Sequence, residues 1–265
     1  MPAVNPARLR FQIEGLMAFF QSPPEFHRRL GDLFSLYANR ALRFGESMGG
    51  KPLIPMYHLP HPIFRQLELD LQPYANENPQ AALVLADELW QDTFFEVKQT
   101  AIFILGIVPI KSPDPVIQRL ERWLSPELDS NLTADLFSAG TLKLQNSYPD
   151  VWEKFIESFL REDDPERLAL GIQGLTEGIK NPTFKNLPAI FRLISPIIRN
   201  PDRSIHHDLV HLIESLVQIS PTETGFFLKQ TLSLSNSSEA ERLVKQCLPL
   251  FPENIQADLK SIRHI

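Results

Sequence analysis

Apolar residues recur along this chain at spacings of three and four. In "NPQAALVLADELW", Leu83, Ala86 and Trp90 keep that spacing, and Ala82, Leu85 and Leu89 widen the stripe, which predicts an amphipathic helix. Asn78 and Pro79 suit its start, since Asn caps free amides and Pro at the first helical position gives up no hydrogen bond. A short turn follows. Thr93 with Glu96 three residues later reads as a capping box, and Phe94, Val97, Ala101, Ile104, Leu105 and Val108 form the next apolar face. Residues 79–108 are therefore expected to fold as a helical hairpin.

The same grammar returns downstream. Ser112-Pro113, Asp150, Asp164-Pro165, Asn181-Pro182, Asn200-Pro201, Ser220-Pro221 (with Glu223 completing a capping box) and Ser238 with Glu241 each precede an apolar-periodic run. The 23 prolines mostly punctuate helix starts. No segment alternates as a strand does, and no Asn-Gly or Asp-Gly hairpin turn occurs. Helix openings near Asn78, Ser112, Tyr148, Pro182 and Ser220 recur about every 36 residues, the period of helical-hairpin repeats that bury their faces only by stacking. The expected fold is all-α: a right-handed α-solenoid of the HEAT-like or armadillo type, with roughly a dozen helices. It is expected to run as one domain over 1–265. An N-terminal helical pair would occupy 1–42, a long Gly- and Pro-rich loop 43–62, and the repeats 63–265.

Charge adds an asymmetry to this picture. The net charge of -6 argues against a generally polyanion-binding protein. Residues 1–65, however, hold eight Lys/Arg against four Asp/Glu, or +4, which leaves 18 against 28, or -10, for the rest. A basic surface near the N-terminus follows. Cys247 is the sole cysteine, so no intrachain disulfide forms and a reducing compartment fits. No run approaches the roughly 20 apolar residues of a membrane span, and no signal pattern opens the chain; a cytoplasmic protein is expected.

The stretch "LPHPIFRQLELDL...ALVLADELWQDTFFEVKQTAIFILG", residues 59–106, resembles the bacterial DNA alkylation repair family of HEAT-like alkylpurine DNA glycosylases. Glu88, Leu89, Trp90, Glu96, Ala101 and Leu105 stand where that family has an "LW" helix end followed by a helix with an early Glu and small apolar repeats. The resemblance implies a concave face that cradles double-stranded DNA. It also implies hydrolysis of the N-glycosidic bond of cationic alkylated purines without flipping the base into a pocket. Aromatic faces would flank the lesion, a carboxylate would meet positive charge growing on the sugar, and an Arg would hold the backbone. Asp135, in "LDSNLTADLF", takes the place of the carboxylate, and Arg167 that of the Arg. The aromatic is missing: Asn131 stands where the family carries a Trp. The expected function is thus a DNA-binding member with weak or absent glycosylase activity, Arg28, Arg29 and Arg43 adding phosphate contacts. An active glycosylase with a rearranged site, or a scaffold taking a protein partner on the concave face, are the alternatives. A monomer without cofactor, metal or membrane contact is expected.

Three further patterns bear on chemistry. Arg167, Gly171, Gly174 and Gly178 line one helix face, and Gly there costs about 1 kcal/mol each relative to Ala, so something approaches that backbone closely. A neighbouring helix is the preferred occupant, a nucleic-acid backbone the other. His207 and His211 stand one turn apart beside His206, but Asp208 replaces the Glu of a metalloprotease motif and no third ligand follows at a familiar spacing, so they read as surface histidines. Cys247, Trp90, Trp123 and Trp152 all fall on apolar faces and read as core.

Overall fold

The computed structural model of the 265-residue chain describes residues 5–38, 54–184 and 186–261. The protein is all-α, with no strand among the described residues. Two compact units divide it, Met1–Ser147 and Tyr148–Ile265. The first contains α1 (Pro6–Met17), α2 (Pro23–Tyr37), α3 (His61–Glu77), α4 (Pro79–Trp90), α5 (Phe95–Ile107), α6 (Asp114–Trp123), α7 (Ser130–Asp135), a π-helical turn (Leu136–Gly140) and α8 (Leu142–Ser147). The second contains α9 (Pro149–Leu160), α10 (Pro165–Gly178), α11 (Leu187–Arg199), α12 (His206–Ile219), α13 (Pro221–Ser233), α14 (Ser238–Cys247) and α15 (Glu253–Lys260).

Proline placement explains many of these boundaries. α1, α2, α4, α9, α10 and α13 each begin on a proline, where the missing N–H would have been unpaired anyway. Pro73 in α3 and Pro196 in α11 are the interior exceptions, each removing one helical hydrogen bond. Side-chain caps form at Asn5, Asp129, Asp164 and Asn186. Several expected caps do not. Asn78 and Ser220 flank their helices without side-chain bonds. Asn181 accepts from Thr183 in a turn, and α11 starts six residues later under Asn186. Ser237 rather than Ser238 precedes α14. The Thr93–Glu96 capping box is also absent, because Glu96 is used elsewhere, as described below.

In the first unit α1 packs on α3, α2 on α4, α3 on α5 and α5 on α7; in the second α9 packs on α11, α10 on α12, α11 on α13, α12 on α14 and α13 on α15. Most of these helices thus meet a second neighbour along the chain. Aromatic stacking reinforces this. Trp90 of α4 lies 4.5 Å from Trp123 of α6 at an interplanar angle of 9°, and Phe191 of α11 is 4.5 Å from Phe227 of α13 at 13°. Such pairs add about 0.5–1.5 kcal/mol beyond their buried area. Asp87 of α4 accepts from Arg119 of α6 at 2.6 Å and also from Arg122, tying the same two helices at their rim. Trp123 and Trp152 are buried, and Trp90 is half-buried at its stack. Cys247 is buried, and burial pushes its thiol up to about 12, which suits a core residue and not a nucleophile.

Candidate functional site

α5 has four polar positions, Glu96, Lys98, Gln99 and Thr100, of which Glu96, Gln99 and Thr100 fall at i, i+3 and i+4 and so share one face. Thr100 satisfies itself on the Glu96 carbonyl at 2.8 Å. Glu96, only 5% exposed, accepts from two consecutive backbone amides, Tyr57 N–H at 2.9 Å and His58 N–H at 2.7 Å. The Phe95 amide donates to the Pro55 carbonyl at 2.9 Å, and the Tyr57 ring stacks on Phe94 at 4.2 Å. Glu96 therefore anchors the extended segment 54–60 to the start of α5, which is why it does not close a capping box. His58 takes φ of +54°, a left-handed conformation that costs a non-glycine residue about 1 kcal/mol or more. The two amides reach Glu96 with the chain in that conformation.

The anchored segment walls a cleft of about 590 Å³. Phe64 and Phe95 supply apolar surface, and His61, Arg65, Glu68 and Gln99 the polar groups. Burial raises the Glu68 carboxyl above its usual range, partly offset by His61 and Arg65. At the α5 side of the cleft, Gln99 donates from Nε2 to Asp135 Oδ2 at 3.0 Å. Asp135 is half-buried at the end of α7, a more sheltered place than a solvated helix charge.

The helix carrying Asp135 is built in an unusual way. Asp129 caps it, accepting from the Asn131 and Leu132 amides at 2.9 and 3.3 Å. Directly after Asp135 the backbone widens into the π turn Leu136–Gly140, a form often found at functional sites. Buried polar groups serve this turn: Thr141 Oγ1 donates to the Phe137 carbonyl at 2.5 Å, and Gln145 Nε2 to Thr141 Oγ1 at 2.9 Å. Gly106 of α5 lies against it so closely that a Cβ there would stand 2.1 Å from the Ala139 carbonyl oxygen. Only glycine permits this approach.

The basic residues expected at DNA are engaged within the protein. Arg28 binds Glu25 at 2.7 Å and Asp32 at 3.0 Å; Arg29 binds Glu25 at 2.5 Å and lies over the Phe19 ring at 3.9 Å. Hydrogen bonds from Arg28 and Arg29 hold Glu25 down at about 2. Arg167 grips Glu162 with two bonds of 3.0 and 2.9 Å and sits over Phe159 at 4.7 Å. Arg43 lies outside the described residues, as does much of the 43–62 loop. On the Gly171 face, a Cβ would meet Leu160 Cδ2 at 2.7 Å and Phe159 Cβ at 3.0 Å, so α9 is the close neighbour there. Arg65, by contrast, makes no ion pair with any described residue.

His207 and His211 are exposed, with Nε2 atoms 3.1 Å apart, and Glu214 is 3.6 Å from His211 Nδ1. Among the described residues no group of three or more His, Cys, Asp or Glu could hold a metal ion. No helix of these residues is long and apolar enough to cross a membrane.

Pattern reading missed Gln99 and the anchoring role of Glu96. The signal was present, as the polar i, i+3, i+4 stripe in a mostly apolar helix. It also missed His27 of α2, whose ring donates to Asp92 at 2.6 Å and pairs with Glu88 at 3.2 Å. Burial opposes the imidazolium most strongly, but the bonds to Asp92 and Glu88 together outweigh it and raise its pKa. The sign is then fixed: the stabilisation is complete below the ordinary value of about 6.5 and is lost as pH rises through the raised folded value. Thermal midpoints measured from pH 6 to 9 should fall more steeply for the wild type than for His27→Gln; parallel curves would show that this linkage is absent.

A profile described as DNA alkylation repair enzyme matches residues 50–244, the greater part of the chain and all of the Glu96–Gln99–Asp135 region. No curated protein and no solved structure matches it. The chain therefore belongs to the DNA alkylation repair enzyme family.

Proposed function

We propose that this protein is a double-stranded-DNA-binding member of the family that retains the charge-stabilising carboxylate and has little or no glycosylase activity. It acts as a cytoplasmic monomer, its helical hairpins stacked as a right-handed HEAT-like solenoid. The packing of most helices on a second neighbour within both units supports that arrangement.

One observation carries the functional reading. The Asp135 carboxylate is sheltered and held by Gln99, yet its helix, Ser130–Asp135, bears no aromatic residue, and Asn131 is exposed where the resemblance puts a Trp. A carboxylate near a sugar favours positive charge developing there. Without the aromatic face, stacking and cation–π contacts with the lesion are lost, each worth about 1 kcal/mol or more when desolvated. Several such kcal/mol amount to a rate loss of several powers of ten. The ion pairs of Arg28 and Arg29 are exposed and therefore weak, so a phosphate can replace Glu25 or Asp32 as partner.

Duplex titration across salt concentrations tests this. Affinity should fall steeply with salt, and Arg167→Glu should weaken binding to all sequences alike. Release of 7-methylguanine or 3-methyladenine from alkylated DNA should be slight or absent. Robust release that disappears in Asp135→Asn would instead mark a working glycosylase. No affinity at low salt would leave a protein-interaction scaffold.

A further inference from the structure

Two contacts join α5 to the segment that carries Asp135. Gln99 donates to the carboxylate, and two turns further on Gly106 admits the Ala139 carbonyl against its backbone. Gln99 and Gly106 are seven residues apart and share a face of α5; Asp135 and Ala139 are four apart and share a face of the partner segment. The glycine contact fixes how the segments slide and rotate. The amide contact then fixes the carboxylate itself.

The choice of donor matters. An Arg or Lys at position 99 would orient Asp135 and also cancel its charge. A glutamine amide is neutral, so it holds one carboxylate oxygen without itself cancelling the charge. Such a donor suits a carboxylate that must be aimed.

We propose that Gln99 is a positioning residue for Asp135, its neutral amide aiming the carboxylate at positive charge on a bound deoxyribose. The inference rests on the reading of Asp135 given above.

Binding to two duplexes provides the test. One carries a protonated pyrrolidine in place of a single nucleotide's sugar, the other a neutral tetrahydrofuran. The wild type should prefer the cationic duplex by about tenfold, as expected of one charge-assisted contact. Asp135→Asn should abolish the preference. Gln99→Leu and the length-preserving Gln99→Met should each cut it about threefold or more, with affinity for the neutral duplex and the thermal midpoint near those of the wild type. Adding Gln99→Met to Asp135→Asn should change nothing more. The inference is overturned if the Gln99 variants keep the full preference, if their effect adds to that of Asp135→Asn, or if both variants melt far below the wild type, since the amide would then be structural only. A wild type without the preference, or an Asp135→Asn protein that keeps it, overturns the reading of Asp135 itself. The two failures are thus told apart.

Discussion

Gly106→Ala should lower the thermal midpoint by roughly 5–10 °C. Alanine gains about 1 kcal/mol of helix propensity over glycine, so a clash-free site would be stabilised. Here the new Cβ would stand 2.1 Å from the Ala139 carbonyl oxygen and 2.9 Å from its carbon, and a backbone atom has no rotamer in which to withdraw. α5 and the π turn must separate, which breaks well-packed contacts and strains the Gln99–Asp135 bond. Overpacking of this kind costs about 1–3 kcal/mol and sometimes more, and in a protein of this size each kcal/mol moves the midpoint by about 2–4 °C. Gly15→Ala is the internal control. No atom lies within 4 Å of a Cβ built on Gly15 in α1, so that substitution should be neutral or slightly stabilising. Calorimetry of both variants decides the matter: equal midpoints would show that the close approach at Gly106 carries no energy.

Glu96→Ala should be comparably damaging, for a different reason. It strips the acceptor from the Tyr57 and His58 amides and leaves the left-handed backbone of His58 without its compensation. Hydrogen bonds to a charged group contribute about 1.5–3 kcal/mol each, though water reaching the freed amides will recover part of that loss. The expected net cost is about 2–4 kcal/mol. Glu96→Gln, which keeps one acceptor oxygen, should fall between. Amide hydrogen exchange at Tyr57 and His58 reports the anchor directly: unchanged protection in Glu96→Ala would mean that the segment is held by Tyr57–Phe94 stacking and the Pro55 contact alone.

Much of the helical architecture was legible because it is written in local chemistry. Prolines at first helical positions and stripes spaced by three and four located α4, α5, α9, α10 and α13 closely. Cap identities were less legible, because a polar side chain near a helix start has several possible partners. Glu96 matched a capping box in spacing, yet amides 38 and 39 residues earlier in the chain hold it. The same limit hid Gln99, whose partner is 36 residues away. Asp135 was identified through resemblance, whereas its shelter depends on tertiary packing. Arg28 and Arg29 were named from the basic N-terminal stretch and Arg167 from the resemblance, but the carboxylates that share their charge, Glu162, Glu25 and Asp32, became partners only in the folded chain.

The wide turn after Asp135 has a consequence for phase. Buried residues there fall in adjacent pairs at 132–133, 136–137, 140–141 and 144–145, a repeat of four. An ideal α-helix advances about 100° per residue, so such a repeat drifts about 40° at each step and about 120° over the three steps. By the last pair, a straight helix would present Leu144 and Gln145 well away from the side that buries Leu132 and Thr133. A π turn winds through a smaller angle per residue and absorbs the drift. One residue of this stretch thus works as a phase corrector. A chain shortened by one position here would regain regular geometry and lose the common face that lets Asp135 and Leu144 belong to the same packed wall.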